Sequence, residues 1–541
     1  MSTIDDKEGA DVTHQEQLLH LDGANHKVAP HVAQQDLGLL AALKHHRKAA
    51  FWSAVMSLTL VMEGYDRALI GNFWALPAFA QRYGVYVPTS NSYTVEAKWQ
   101  TAVSDMSIVG CFIGALTAGW EVDRLGYRRT VIANLFAMIP CIALVTFAPN
   151  IVALFMGEFL CGLPWGVFAA LGPAYASEVC PDALRGYLTT YVNLCWVMGQ
   201  FIASGVVLGI QGMSGQWAYR IPFALQWFWP CVLIPILYFA PESPWWLVRR
   251  GKIDEAKRAI RSLVSKHDVD SIDSTVDLMI RTNQLELDAK ALEKAEGTSY
   301  LDCFRGANVR RTEISAVAWA AQILSGDGFA GYVTYFFVQA SLSTSQSYKL
   351  GLANTAGAFI GTVGSWFLLA RFGRRSIFVG GCLWLALLWL IIGGLSVVAD
   401  KGQPEAKWGQ AALFLVWVLS YDFTLGPIAY CIVGESSQTR LRQKTVAFSR
   451  NAFYVCSIVS GVVSPYMLNP TNWNWRGKSG FFWAAPALMI AAWGFFRLPE
   501  MKGRSYYELD VLFERRVPAR KFATTTLEGE RVIEDPSQSR A

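Results

Sequence analysis

The sequence predicts an all-α polytopic membrane protein of twelve transmembrane helices in two halves. Three observations carry this. Of 541 residues, 53% are hydrophobic and only 16% charged; about twelve apolar stretches approach the roughly 20 residues a spanning helix needs; and one set of motifs returns in order in the second half of the chain. The spans lie near 50–72, 100–121, 130–148, 151–175, 187–210 and 221–240, with six more between 314 and 498. The chain divides accordingly into an N-terminal tail (1–48), six helices (49–240), a linker (241–312), six more helices (313–498) and a C-terminal tail (499–541).

The first 48 residues are polar and lack the basic start, apolar core and cleavage site of a signal peptide, so they read as a retained disordered tail; 499–541 reads as a second. In the linker, Ile253, Ala256, Ile260 and Leu263 have helical spacing with Lys257, Arg258 and Arg261 between them. That is an amphipathic surface helix, either a solvated brace or a partner-binding face.

Charge fixes orientation more than partners. An excess of 47 Lys and Arg over 42 Asp and Glu gives +5, too weak and dispersed for nucleic acid. Loops numbered alternately place Arg124, Arg128, Arg129, Arg185, the linker, Arg371, Arg374, Arg375, Arg440, Arg442 and Lys444 on one side, against Arg82, Lys98, Arg476 and Lys478 on the other. The positive-inside rule makes that first side, and both termini, cytoplasmic. The ten cysteines include no C-x-x-C pair and read as small core residues. All seven histidines lie in the N-terminal tail or the linker, which excludes a transmembrane zinc site or histidine relay. Without a nucleotide loop, metal-ligand cluster or nucleophile motif, the chain reads as no enzyme and as needing no cofactor.

The halves echo each other. Arg124-Leu-Gly126-Tyr-Arg128 returns as Arg371-Phe-Gly373-Arg-Arg375, Glu178 with Arg185 as Glu435 with Arg442, and Pro241-Glu242 as Pro499-Glu500. Such repetition marks duplicated transporter architecture. Gly64 and Gly71 in span 1, Gly162, Pro164 and Gly166 in span 4, Ser325, Gly326 and Gly328 in span 7, and Gly426-Pro427 in span 10 head four three-helix units. They predict either discontinuous helices around a central site or close small-residue packing.

Span 1 also carries Glu63, Asp66 and Arg67. Each ionised side chain at a helix centre costs roughly 2.5–3.5 kcal/mol, so such residues face a protein interior or a wet cavity. Glu63 and Asp66 stand three apart, Glu63 and Arg67 four apart, all on one side of the helix. Two neighbouring carboxylates in a poorly hydrated place cannot both ionise cheaply; they titrate as a pair that loads and releases a proton. The structural alternative is a salt bridge in which Arg67 neutralises one acid.

These residues resemble a family. Asp123-Arg124-Leu-Gly126, Glu178 to Gly186, Pro241-Glu242-Ser243-Pro244 and Pro499-Glu500-Met-Lys-Gly503 are similar to the signatures of sugar porters of the major facilitator superfamily. The runs Met62–Asp66, Cys161–Gly166, Tyr175–Cys180, Leu188–Trp196 and Pro241–Val248 narrow the likeness to fungal maltose or α-glucoside permeases, over residues 50–522. The resemblance implies the major facilitator fold, two six-helix bundles rocking about a central cavity in the plasma membrane. It implies proton-coupled import of a disaccharide, α-glucoside or lactose/cellobiose, with a sensor on a transporter fold and an uncoupled facilitator as the other readings. The partners are then sugar, proton and lipid bilayer; the tails are the candidate contact sites for proteins.

By motif position the resemblance nominates Asn193, Gln200, Gln322, Tyr332, Tyr335, Tyr430 and Asn451 for sugar, and Arg450 as a cation serving the span 1 acids. Amides read hydroxyls and aromatic faces cover apolar ring surfaces; lipid or core packing is the competing reading for each aromatic. Asp327, beside the Ser325-Gly326 turn, is added for hydroxyls or coupling, whereas Asp422 is read as a buried acid that only snorkels. Asp123, Arg124, Arg128, Arg371 and Arg374, with the Glu178/Arg185 and Glu435/Arg442 pairs, are the implied cytoplasmic latches between bundles. The sequence departs from the pattern in three places: Arg67 replaces a small hydroxyl residue, Cys111 stands where some members carry a carboxylate, and Glu158 occupies the span 4 position of a hexose-porter arginine.

Overall fold

The computed structural model describes residue 44 and residues 46–525, apart from 89–91, 180–181, 264–271, 278, 281–283, 285–302, 340–341, 402, 404, 438–441, 503 and 505. Span 1 is two helices, Arg47–Ser57 and Thr59–Phe73. Spans 2–5 are Ala97–Leu125, Tyr127–Thr146, Ile151–Val179 and Asp182–Ile210, and span 6 is Trp217–Leu225 followed by Phe228–Tyr238. Span 7 runs through Asn308–Gln322, a π segment Ile323–Asp327 and Val333–Gln339. Spans 8 and 9 are Thr344–Arg371 and Arg374–Asp400; span 10 is Glu405–Phe423 plus Leu425–Ser436; spans 11 and 12 are Arg442–Leu468 and Ser479–Arg497. Spans 2–6 and 8–12 are long and apolar enough to cross a bilayer.

Packing repeats with the sequence. Span 1 lies on span 5 and span 2 on span 4; likewise span 7 lies on span 11 and span 8 on span 10. The halves meet along span 2 against span 11 and span 5 against span 8, contacts that interchange when the halves are exchanged. Large apolar side chains such as Trp120, Phe136, Phe228, Phe367 and Met489 stay exposed on the outer walls, as lipid-facing helices require.

The glycine expectation divides. Span 7 does deform, with Gly326 at φ 111°, a left-handed backbone that excludes side chains, and span 10 breaks at Thr424 just before Gly426-Pro427. Span 1 instead breaks at Leu58, and span 4 runs unbroken through Gly162, Pro164 and Gly166. There the glycines let backbones touch: a Cβ on Gly64 would meet the Trp196 carbonyl of span 5, and one on Gly166 the Cys111 carbonyl of span 2. Gly166→Val should therefore destabilise the first bundle by about 1–3 kcal/mol or more, seen as lost monodisperse protein on fluorescence-detected size exclusion.

Two peripheral segments brace the bundles from the basic end. The linker helix Ile253–Leu263 forms as expected and buries Ala256, Ala259, Ile260 and Leu263, partly against Leu247 and Val248, which makes it a brace. Residues up to 525 correct the loose-tail expectation for 499–541. Helix Tyr506–Glu514 buries Leu509, Leu512 and Phe513, Phe522 packs on Phe513, and Arg311 of span 7 donates to Asp510 at 2.6 Å. The N-terminal tail before residue 44, residues 526–541 and most of the linker's second half lie outside the described residues.

Candidate proton and sugar site

In span 1 the acids part company. Glu63 and Arg67, four apart and nearly in line on the helix, form an ion pair at 3.3 Å. Arg67 also reaches Cys111 Sγ at 4.0 Å, so two of the departures from the family pattern are neighbours in space. Asp66 turns the other way, into the first bundle. It is 2% exposed and accepts from Gln226 Nε2 of span 6 at 2.5 Å. Its carboxyl faces that of Glu158 on span 4 within hydrogen-bonding contact, and Glu158 is 1% exposed with its Oε1 unpartnered. The structure therefore does not bring Glu63 and Asp66 together as the expected dyad: Arg67 claims Glu63, and the carboxyl that Asp66 faces is that of Glu158.

Arg450 makes no described ion pair with Asp66. Its guanidinium lies over Trp319, Phe453 and Tyr454 at 4.5, 4.3 and 5.2 Å from the ring centroids, within the electrostatic reach of Glu63 across the interface. Tyr430 packs edge-on to Trp319 at 4.6 Å. Gln322 donates to the Gly426 carbonyl at 2.7 Å, tying the deformed part of span 7 to the break in span 10. Asp327 and Asp422 lie beside these same two breaks. Tyr421 lies beside Asp327, and Asp422 is buried with Thr362 donating to it at 3.4 Å, so Asp422 does not snorkel. Asn193 and Gln200, seven apart and on one face of span 5, and Asn451 on span 11 are half-buried.

Tyr332 and Tyr335 sit elsewhere, packed into a closed end. There Thr334 donates to Asn72 Oδ1 at 2.5 Å, Tyr348 to the Asn72 carbonyl at 3.1 Å, Asn469 to the Val95 carbonyl at 3.0 Å and Thr101 to the Gly461 carbonyl at 3.2 Å. Every one of these bonds joins the two halves. The end bearing the Arg-x-Gly turns differs, since the described ion pairs of Glu178 and Glu435 do not join the two halves.

At that basic end the motifs form two copies of one device. Glu242 accepts from the backbone nitrogens of Tyr127 and Arg128 at 2.8 and 3.2 Å; Glu500 accepts from those of Arg374 and Arg375 at 2.8 and 3.1 Å. Each carboxylate caps the start of span 3 or span 9. A Cβ on Gly126 or Gly373 would strike the capping carboxylate, which is why the turns carry glycine. Glu178 pairs with Arg249 at 3.1 Å and also accepts from Ser243, while Glu435 pairs with Arg374 at 2.8 Å. Arg250 donates to the Asp123 carbonyl, Arg124 lies 4.2 Å over Trp120, Arg128 donates to the Tyr238 carbonyl at 3.3 Å, and Arg371 is exposed. The side chains of Arg185 and Arg442 lie outside the described residues. Glu500→Ala should cost about 0.5–2 kcal/mol, the usual loss for a helix cap, and lower the melting temperature of the solubilised protein.

Gln226 and Trp319 were not among the residues the sequence singled out. A lone amide between Leu225 and Trp227 in an apolar span was the available signal for the first; Trp319 is one of 21 tryptophans and carried none.

Twelve spans in two exchange-related halves, with buried carboxyls and interrupted helices in both, define the major facilitator fold. The chain belongs to the sugar (and other) transporter family, whose profile matches residues 52–513. It is 38% identical over 500 residues to maltose permease MAL31 of Saccharomyces cerevisiae, covering 92% of this chain and 80% of that protein. It is 36% identical over 497 residues to the general alpha-glucoside permease of the same organism, with the same coverage. Among solved structures, the proton:xylose symporter XylE bound to 6-bromo-6-deoxy-D-glucose superposes with a TM-score of 0.67 at 18% identity, over 87% of this chain and all (100%) of that one. The inward open conformation of XylE from E. coli gives 0.66 at 19% identity, over 85% and 98% of the two chains. The protein is an integral membrane sugar transporter and not an enzyme.

Proposed function

We propose that this carrier imports a disaccharide of the maltose/α-glucoside class together with a proton, across the plasma membrane, with both termini and the Arg-x-Gly turns cytoplasmic. The observation that carries the reading is the buried Asp66/Glu158 contact, beside the Glu63–Arg67 pair. A carboxyl pair that must hold a proton when water is excluded, and can release it when wetted, couples protonation to reorientation. Sugar contacts fall to Gln322, Tyr430, Asn193, Gln200 and Asn451, with Trp319 added as an aromatic face.

The first bundle holds the proton and the second presents the deformed span 7 and the span 10 break, so binding at either alters how the halves close. The outer closure through Asn72 and Thr334 is then the inward-facing state. One proton driven through 100 mV supplies roughly 2.3 kcal/mol, enough for nearly fiftyfold accumulation.

A second reading, an uncoupled facilitator, is favoured by the neutralisation of Glu63 by Arg67 and by Cys111 in place of a carboxylate. Uptake of labelled maltose in cells lacking other permeases separates the two. Coupled import runs uphill, alkalinises the medium and collapses with a protonophore; equilibration alone supports the facilitator. Competition by lactose and cellobiose against maltose tests the disaccharide class.

A further inference from the structure

A cavity of about 390 Å³ opens at the basic end between the start of span 7, the end of span 12 and the C-terminal segment; Arg310, Arg497 and Arg516 line it with Phe496 and Phe513, and among the described residues no acid does. Its cations are held in place from behind. Arg310 donates to the Val517 carbonyl at 2.7 Å and lies 5.5 Å over Phe513. Arg497 is gripped by Glu313 at 3.0 and 2.5 Å, and Glu313 is itself fixed by Trp493 at 2.8 Å. Arg516, exposed and in the left-handed backbone region at φ 51°, completes the lining. Glu313 offsets one of the three guanidinium charges, which leaves two.

We propose that this cavity is a binding site for the phosphomonoester headgroup of an anionic membrane lipid. The surplus of two charges matches a phosphomonoester, which carries about 1.5 to 2 negative charges at neutral pH, and guanidinium forks are the side chains that grip phosphate oxygens in pairs. Fixing Arg310 through the Val517 carbonyl and Arg497 through Glu313, neither of which lines the cavity, removes much of the ordering cost of binding. The volume suits a headgroup rather than a bare ion.

The rim selects lipid over a soluble phosphate. Phe495 and Phe496, 45% and 64% exposed at the end of span 12, offer apolar faces to acyl chains, and Arg520 lies 4.4 and 5.2 Å over their rings. A basic pocket between helices at a membrane surface is the usual setting for such headgroups. The C-terminal segment that the sequence suggested was a loose tail thereby becomes one wall of a lipid site. Its occupancy would tie the position of spans 7 and 12 to the lipid composition of that leaflet.

The test is native mass spectrometry of the full-length protein released from phosphatidylcholine nanodiscs, titrated with phosphatidylinositol 4-phosphate. Phosphatidylinositol, inositol 1,4-bisphosphate and inorganic phosphate serve as comparison probes. One retained phosphatidylinositol 4-phosphate is expected, weakened at least about tenfold by Arg516→Ala, an exposed change that leaves the fold intact, and by Arg310→Gln. Phosphatidylinositol, which has only the diester, should bind at least about tenfold more weakly as well. Unchanged affinity in Arg516→Ala overturns the site, whatever becomes of Arg310→Gln. Equal affinity for the water-soluble inositol bisphosphate or for inorganic phosphate overturns the lipid assignment.

Discussion

Asp66→Asn and Glu158→Gln should each reduce sugar accumulation from as much as about fiftyfold to simple equilibration, while exchange of labelled for unlabelled sugar continues. Each amide keeps the size and hydrogen-bonding capacity of the acid it replaces but holds no exchangeable proton. In the first variant Gln226 can still donate to the amide oxygen of the new side chain, so the bond that positions it survives. Glu63→Gln is a different experiment. It leaves the half-buried Arg67 without its ion-pair partner, a loss below the roughly 3–5 kcal/mol of a fully buried pair, so its phenotype should appear first as poorer expression. Accumulation that persists in both Asp66→Asn and Glu158→Gln, with expression intact, would remove the proton site from the first bundle.

Much of this was legible in the sequence, and the illegible part has a common cause. Apolar length and the repeated Arg-x-Gly turns predicted the spans and halves because both depend on local composition. The span 7 deformation at Gly326 and the span 10 break before Gly426-Pro427 followed from backbone chemistry, again local. Partner choice did not. Helical spacing puts Glu63, Asp66 and Arg67 on one side of a helix, yet an offset of about 60° suffices to send Asp66 to spans 4 and 6 while Glu63 stays with Arg67.

The same limit applied to the motif acids. Glu242 and Glu500 stood out as repeated residues, but their role as caps for spans 3 and 9 depends on which helix start lies opposite. Glu435 likewise found an arginine in its own half, and Glu178 one in the linker that follows its half. Gly64, Gly162 and Gly166 read equally as breakers or as packing surfaces until the neighbouring backbones were in place. The departures Arg67 and Cys111, separate oddities along the chain, become one local substitution of contacts in three dimensions.

Gly461→Phe should lower transport at least about a hundredfold by holding open the closed end, which is the outer one in the proposed orientation. Gly461 of span 11 lies against Asp105 of span 2, and a Cβ there would strike that carboxylate. Its carbonyl also accepts from Thr101, one of the bonds that join the halves at that end. Overpacking a sealed contact costs typically about 1–3 kcal/mol and sometimes more; with a phenyl ring driven between two helices, a cost near the top of that range removes roughly 99% of the closed population. The alternative open state has no such contact, so the protein should fold, reach the membrane and bind sugar from outside. Cysteines placed at Asn72 or Thr334 should become accessible to an impermeant thiol reagent in this background and stay protected in the parent. Transport at parental rates with both positions still protected would mean that the Gly461 contact opens at no cost, and that the closed end is not the outer gate.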